Sequence, residues 1–573
     1  MNLARRLFPF INWFPMSSEN LKADFIAGLT VALVLIPQSM AYAQLAGMPP
    51  YYGLYAAFLP VILGALWGSS SFLSTGPAAM TGLLTAATLM PYAEIGSEKF
   101  IGLAITLAFL VGICRLAIGI FKLTFLVNFL SQPVIRGFIN AGAVIIATSQ
   151  LNKLLGVSMA KTDFYLRDIC KVIMRAGETH LPTLIIGLSA MLLIILLKKF
   201  IPKLPSSLVV AILGSLAVWG FNLAGTPGDT GEHVAVIGEI PSGLPGFSIP
   251  NLNLKLIIEL LPGALVVMFI GFMEVCSVSK ALSAKSKQKV DLNQELIGQG
   301  TAAVVGSFFQ CFPTSGGSFS RSALNYSSGA KTGMCSVFTG SIVLLTLLFL
   351  TKLLYFLPHA VLAAIIIVAV IGLVDFKAMV HAWKIDFSDG LSGLITFLAT
   401  LYFAPNMVIG ILVGAGLALS LHLYKTMKPR VAVLGLHDDG SMRDADLHSL
   451  PIDEKSPLIR FDGRLYFASV SYFEDAVLGV LNRFPEANYI IISADGINAI
   501  DASGEAMLHD LIPRLRASGV EMLFVGLKHQ VETVINRSGL EDLIGRDKFF
   551  RTIQDVENFI ESQNKIKGTD ESV

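Results

Sequence analysis

Thr314-Ser315-Gly316-Gly317-Ser318-Phe319-Ser320-Arg321-Ser322-Ala323-Leu324-Asn325 is a glycine-broken, hydroxyl-rich stretch with one arginine, and apolar runs long enough to cross a bilayer stand around it. Unwound backbone is costly in hydrocarbon, so it must be buried in protein or line a polar cavity, as the discontinuous helices of transporters do. A second stretch of this kind lies in the first half of the chain, Ser74-Thr75-Gly76-Pro77-Ala78-Ala79-Met80-Thr81. Gly76 is suited to break the backbone there, and Pro77 to take the first position of a new helix. Two helices that start near mid-membrane and run in opposite directions point their N-termini at each other. Their free N–H groups and positive dipole ends then offer a site to an anion.

Composition agrees with a membrane setting. The 573 residues are 54% hydrophobic and 14% charged, with a mean hydropathy of +0.67, whereas soluble domains carry about 25% charged residues. No Asp, Glu, Lys or Arg occurs from Phe25 to Ala93, which is room for three passes at about 20 residues each. A net charge of +1 without a dense Lys/Arg cluster argues against a nucleic-acid partner. Cys114, Cys170, Cys276, Cys311 and Cys335 show no CxxC or Cys/His spacing and read as small buried side chains, so no metal or cofactor is expected. Residues 1–15, with Arg5 and Arg6 ahead of Leu7-Phe8-Pro9-Phe10, lack the small-residue cleavage site of a secretory signal and read as a retained interfacial segment on the side of the positive charges.

Hydropathy predicts fourteen spans, at 24–46, 51–67, 77–91, 99–119, 132–150, 183–199, 206–222, 256–280, 292–309, 317–328, 335–353, 358–373, 390–404 and 407–424. Loop charges fit an even count with both termini inside. Lys122, Lys198, Lys199, Lys203, Lys280, Lys285, Lys287, Lys289, Lys331, Lys377, Lys384, Lys425, Lys428 and Arg430 fall on one side, while the loop from Gly225 to Gly246 holds Asp229, Glu232 and Glu239 without a Lys or Arg. The external loop at 151–182 departs from the rule, with Lys153, Lys161, Arg167, Lys171 and Arg175. In each half a span with a mid-membrane polar residue, Gln38 in the first and Glu274 in the eighth, is followed by another span and then a broken helix. Two seven-span repeats result, and because seven is odd the second is inverted, which places a substrate between the broken helices.

After Arg430 the sequence turns charged and soluble. Ile459-Arg460-Phe461-Asp462-Gly463-Arg464-Leu465-Tyr466-Phe467 alternates and turns like a hairpin, while Tyr489–Ser493 and Met522–Gly526 read as buried strands. Amphipathic helices are expected at 471–484, 504–518 and 529–538. The division is therefore an N-terminal segment 1–20, a transmembrane anion transporter domain 21–428, a cytoplasmic α/β domain 429–565 and a polar tail 566–573.

Leu35-Ile36-Pro37-Gln38-Ser39-Met40-Ala41-Tyr42-Ala43, Pro49-Pro50-Tyr51-Tyr52-Gly53-Leu54-Tyr55, Gly68-Ser69-Ser70 with Gly76-Pro77-Ala78-Ala79, Asn293-Gln294-Glu295-Leu296-Ile297-Gly298-Gln299-Gly300 and Ser315-Gly316-Gly317-Ser318-Phe319-Ser320-Arg321 follow one another in this order. Together they resemble the sulfate permease (SulP) family of anion transporters over nearly the whole chain. Asn498-Ala499-Ile500-Asp501-Ala502-Ser503-Gly504 places the tail domain beside the family's STAS domain. The resemblance implies a uracil-transporter-like fold of core and gate, a homodimer, and a multi-pass protein of the cell (plasma or inner) membrane.

It also implies the site. Gln38 and Tyr42, four apart, share one helix face. Pro77, Ala78, Ala79 and Phe319 would bring backbone to the anion, Ser318 and Ser320 hydroxyls. Ser318 is equally suited to capping its helix. Arg321 is either a charge facing the substrate or a paired arginine packed behind it. Glu274 is the acid expected inside a span. Protonated it would allow proton–anion symport, ionised it could hold Na⁺, and in a third reading it is the permanent ion-pair partner of Arg321. Ser503 matches the loop in which related signalling domains accept phosphate. The function expected is secondary active transport of an inorganic anion, sulfate in the first place, probed against a bicarbonate or dicarboxylate carrier and an anion channel. No nucleophile–base constellation points to an enzyme.

Overall fold

A computed structural model describes residues 8–125, 131–157, 165–201, 204–225, 233–241, 243–372, 374–404 and 407–570. Arg5, Arg6, Lys161, Lys203, Asp229 and Glu232, used above for orientation, lie outside them. The chain forms two compact units, one ending at Ala418 and the other starting at Leu419.

In the first unit the helices matching the predicted spans are α1 (Ser18–Leu45), α2 (Tyr51–Trp67), α3 (Ala79–Leu89), α4 (Glu98–Ile120), α5 (Gln132–Ser149), α6 (Leu181–Phe200), α7 (Ser206–Gly220), α8 (Leu254–Ser286), α9 (Leu292–Ser307), α10 (Phe319–Ser327), α11 (Met334–Leu345), α12 (His359–Ile371), α13 (Phe387–Tyr402) and α14 (Met407–Met427). Among the described residues eight helical segments reach 18 residues with the apolarity a span needs, and α2, α3 and α7 are shorter apolar helices. Polar residues set the ends. Ser17, Ser97, Asn253, Asp291 and Asp386 each accept a backbone N–H from the first turn of the helix they precede. The predicted eleventh span is continuous, but α11 gives way to a π-helical turn, Thr346–Leu350, and a 3₁₀ turn, Thr351–Leu354. Thr346 turns its hydroxyl back onto the Ile342 carbonyl at 3.0 Å there, a competition that loosens helical pairing.

The helices pack as two bundles. α1–α4 and α8–α11 form one; α5–α7, α12 and α13 form the other, and α14 joins it through the close approach of Gly410 and Gly414 to Thr400 and Thr396 of α13. Each bundle takes corresponding helices from both halves, as two inverted seven-span repeats require. This is the core-and-gate arrangement.

Two buried acids pin loops in the first bundle. Asp24 accepts the Lys331 and Thr332 N–H groups at 2.6 and 3.1 Å and the Thr332 hydroxyl at 2.6 Å. Glu295, at the start of α9, accepts the Ser69 N–H, the Ser69 hydroxyl and the Ser70 N–H at 2.5, 3.0 and 2.6 Å. The Asn293–Gly300 and Gly68–Ser70 motifs are thus one structure, which fixes the chain entering the first broken stretch. Replacing Glu295 with Ala strands those donors at about 1–3 kcal/mol each. A melting temperature several degrees below wild type is expected in detergent, with Glu295→Gln losing less; an unchanged melting curve for Glu295→Ala would show that the pin adds nothing.

The second unit is a six-stranded sheet of order β2-β1-β3-β4-β5-β6, with β1 Arg430–Leu436, β2 Met442–Asp444, β3 Leu458–Asp462, β4 Tyr489–Ser493, β5 Glu521–Val525 and β6 Phe549–Phe550. β1 runs antiparallel to β2 and β3, and the remaining pairs are parallel. Tyr489-Ile490-Ile491-Ile492 reads as one apolar run because both faces are covered: Ile490 and Ile492 pack with Phe461, Phe473 and Leu508, and Tyr489 and Ile491 with Leu523 and Val556. The expected hairpin at 459–467 is not formed. β3 pairs with β1 and β4, and beyond Gly463 the chain makes a single parallel bridge, Leu465 to Ile500, before entering the helix Val470–Arg483. The last helix, Ile553–Asp570, continues into the stretch expected as a polar tail.

Candidate functional site

The two broken stretches meet as backbone. Gly76 N–H donates to the Ser315 carbonyl and Ser315 N–H to the Gly76 carbonyl, both at 3.0 Å, in an isolated antiparallel bridge. Ser318 N–H reaches the Ser74 carbonyl at 3.4 Å. Glycine is required on both sides of this crossing. Gly76 has φ +146, a region side chains rarely adopt. A Cβ on Gly316 would stand 1.7 Å from Cδ of Gln299, whose amide donates to the Gly316 carbonyl at 3.5 Å.

From this bridge the half-helices depart. α3 starts at Ala79, not at Pro77, because Ala78 is extended (φ −141, ψ 155) and serves as N-cap. Pro77 stands outside the helix. α10 starts at Phe319 after an extended Ser318. Neither helix has a side-chain cap, so the first-turn N–H groups, those of Ala79 and Phe319 among them, keep the donor capacity that intrahelical pairing cannot use. Ser318 takes no capping role; its hydroxyl meets that of Ser320 at 3.3 Å.

Side chains from three helices surround the crossing. Gln38 and Tyr42 on α1 are buried, and the Gln38 carbonyl oxygen has no hydrogen-bond partner among the described residues. Glu274 on α8 is half-buried and accepts a hydrogen bond from the Ser315 hydroxyl. Phe319 and Ser320 are exposed, so the site is open on the α10 side. Arg321, one residue on, has no exposed surface. Its Nε lies 3.4 Å from the Ser74 hydroxyl, and Nη2 lies 3.5 Å from where a Gly76 Cβ would stand. The guanidinium is therefore laid against the back of the bridge, not held out beyond the helix end, because the polar surface within reach of that face of α10 is the Ser74–Gly76 segment. No ion pair within 4 Å joins it to Glu274 among the described residues, which removes the permanent pair as a structural tie. Ser322 accepts the Ser74 N–H at 3.0 Å and Asn325 donates to the Phe72 carbonyl at 3.1 Å. Polar side chains of α10 thus clamp the stretch that leads into α3.

A cavity of about 490 Å³ lies where the two bundles face each other at the far end of α3, lined by Gln44, Leu83, Met90, Gln150, Lys153 and Phe403. In the second unit Ser503 is exposed, and its N–H is taken by the Asp501 carboxylate at 2.9 Å. A phosphate there would face that carboxylate. Ser315, Gln299, Ser322 and Arg115 carry site geometry that the sequence does not assign; the first three stand inside quoted motifs.

Comparison with known proteins agrees with this architecture. The family model for the sulfate permease family matches residues 21–396, and that for the STAS domain matches 449–556. The chain is 35% identical over 567 residues to the chloroplastic sulfate transporter 4.1 of Arabidopsis thaliana, covering 96% of this chain and 82% of the relative. To high affinity sulfate transporter 1 of Stylosanthes hamata it is 32% identical, covering 96% and 85%. Its fold superposes on the murine anion transporter Solute Carrier 26 family member A9, solved in the inward-facing state, with a TM-score of 0.88 at 21% identity over 97% of this chain and 94% of that one. The transmembrane domain of the cyanobacterial bicarbonate transporter BicA aligns with a TM-score of 0.58 at 21% identity, over 70% of this chain and 98% of that one. A multi-pass membrane protein with this motif order, this paired-repeat fold and a STAS domain belongs to the sulfate permease family.

Proposed function

We propose that this protein is a secondary active transporter of sulfate, working as a proton symporter in which the anion binds between the first turns of α3 and α10. The observation that carries the reading is the pair of helix starts without side-chain caps, tied to each other by the Gly76–Ser315 bridge. Ala78, Ala79, Ser318, Phe319 and Ser320 offer donors to the anion, with Pro77 shaping the approach and Gln38 and Tyr42 lining the α1 side. Glu274 couples the proton. Two helix ends of roughly half a charge each, with Arg321, supply about +2 against a dianion. An ionised Glu274 lowers that to about +1, so sulfate favours a proton on Glu274 and the proton favours sulfate. Uptake then rises as pH falls. The bundles move against each other to expose the site alternately. The relatives named for sulfate transport support this substrate.

The membrane is the cell membrane and both termini are cytoplasmic, a reading supported by Lys198 and Lys199 at the end of α6, Lys280 and Lys285 near the end of α8, and Lys425 near the end of α14. The working form is a homodimer, as the family resemblance implies.

Labelled sulfate uptake into liposomes under an inward proton gradient tests the function, with bicarbonate, fumarate, chloride and molybdate as competitors. Accumulation above equilibrium that molybdate competes is expected. Dominant competition by bicarbonate or fumarate would reassign the substrate, a requirement for Na⁺ the coupling ion, and flow only to equilibrium would make the protein a channel.

Arg321→Ala should weaken sulfate binding by about 1.5–3 kcal/mol, the size of a hydrogen bond to a charged group, in a protein that still folds. Arg321→Lys should recover part of it, since the planar fork that lies against the bridge is lost. Calorimetric titration of the purified variants reads both; wild-type affinity in Arg321→Ala would remove the charge from the site.

A further inference from the structure

Arg115, in the last third of α4, is fully buried, and none of its three guanidinium nitrogens has a hydrogen-bond partner among the described residues. An arginine inside a span is costly unless it is paired or serves a pathway. Its surroundings place it at the anion site. A Cβ built on Gly271 of α8 would stand 2.5 Å from Nη2 of Arg115 and 3.8 Å from Cγ2 of Thr81. The guanidinium therefore lies in the notch that Gly271 leaves on α8, and the same notch faces Thr81 in the first turn of α3. Glu274 follows Gly271 by three residues, so the two share a face of α8. Arg321 stands against Gly76, five residues before Thr81. The two guanidinium groups thus lie near the two ends of the segment from Gly76 to Thr81.

We propose that Arg115 is the second fixed positive charge of the anion site and, with Arg321, sets its preference for a divalent over a monovalent anion. The inference rests on the sulfate-transport reading above and adds a residue to it. Arg115 raises the fixed positive charge of the two helix ends and Arg321 from about +2 to about +3, which favours a dianion over a monoanion, while an ionised Glu274 still repels the anion, so the linkage between sulfate and proton keeps its sign. After the anion and proton leave, the ionised Glu274 offsets part of that charge. The groups that face Glu274 are Arg115 from α4, Arg321 from α10, Tyr42 from α1 and the Ser315 hydroxyl. Arg115 acts on the anion through its field, as a specificity-determining residue, and makes no contact with it.

The test compares wild type, Arg115→Gln and Arg115→Lys in liposomes, reading half-saturation by sulfate, inhibition by nitrate and the pH profile of uptake. For Arg115→Gln the preference for sulfate over nitrate should fall by about tenfold or more, as expected for one charge acting through a medium of effective dielectric about 20. Its pH profile should move to higher pH, because Glu274 loses a positive neighbour. Arg115→Lys should keep the preference. A folded Arg115→Gln with wild-type preference and pH profile overturns the proposal. If Arg115→Gln does not fold, Arg115→Gln with Glu274→Gln removes both charges together; it should fold and exchange anions with weakened preference for sulfate. Wild-type preference in that double variant, or its failure to fold, makes Arg115 a packing residue and overturns the proposal. Sulfate uptake by the wild type is the separate control: its absence overturns the parent reading, whereas its presence beside unaltered variants overturns only the role of Arg115.

Discussion

Glu274→Gln in liposomes is expected to exchange internal for external sulfate at close to the wild-type rate and to accumulate none when a proton gradient is applied. The amide is neutral, like the protonated acid, and its oxygen can still accept the Ser315 hydroxyl, so the bridge and the helix starts keep their places. What is lost is the ability to take up and release a proton. By linkage, an equilibrium can be shifted only by a ligand that binds its two states differently, and for the amide a proton no longer does. Counterflow and gradient-driven uptake measured on one preparation separate the two properties. Continued concentration of sulfate with wild-type pH dependence would move the coupling group elsewhere.

Gly316→Ala is expected to abolish sulfate binding and transport together. The new methyl would lie 1.7 Å from Cδ and 1.9 Å from both amide atoms of Gln299, a side chain only 1% exposed on a helix that packs against α2 and α4. Overpacking of this kind costs about 1–3 kcal/mol where the surroundings can yield; here the element that gives way is the bridge through Ser315, and both helix starts lose their positions. Gln299→Ala opens the space, so the double variant should regain part of the transport. Gly317→Ala should be milder, since its nearest contact is the Leu73 side chain at 3.1 Å. Near-normal transport by Gly316→Ala would mean that the crossing tolerates rearrangement and does not define the site.

Much of this architecture was written locally. Span positions follow from uninterrupted apolar runs, and the starts of α3 and α10 from glycines and hydroxyls where a helix would be expected to continue. Most helix ends agree within about three residues because caps such as Ser97 and Asp291 are short-range signals; α1 starts six residues earlier than predicted, α8 runs six further, and α11 gives way eight residues before the predicted end. The pairing of Gly76 with Ser315 was not legible, since nothing local specifies which residue of a distant stretch an extended backbone will meet. The side-chain direction of Arg321 was hidden for a related reason: a helix position fixes a face, but the polar surface waiting there belongs to Ser74–Gly76. Asp24 and Glu295 look like boundary charges in solvent, and only the fold shows that loop N–H groups consume them. Arg115 was closer to legible. A lone arginine between Phe109 and Phe121 is a signal of the same kind as Arg321, without a broken helix beside it to draw attention. In the second unit the Asp462-Gly463 turn was legible but its destination was not, because alternation cannot say whether a strand pairs with a later segment of the chain or an earlier one.

The Gly76–Ser315 bridge has a bearing on energetics on the proposed reading. Because it joins the two halves within one bundle, the donors on either side of the anion travel together, and their spacing is the same whichever face of the membrane is open. The intrinsic affinity for the anion is then equal at the two faces, so the site itself cannot rectify. Direction and concentrating power come from the gradients across the membrane, those of the coupling ion, the anion and the electrical potential, and reversing their sum runs the same protein as an exporter.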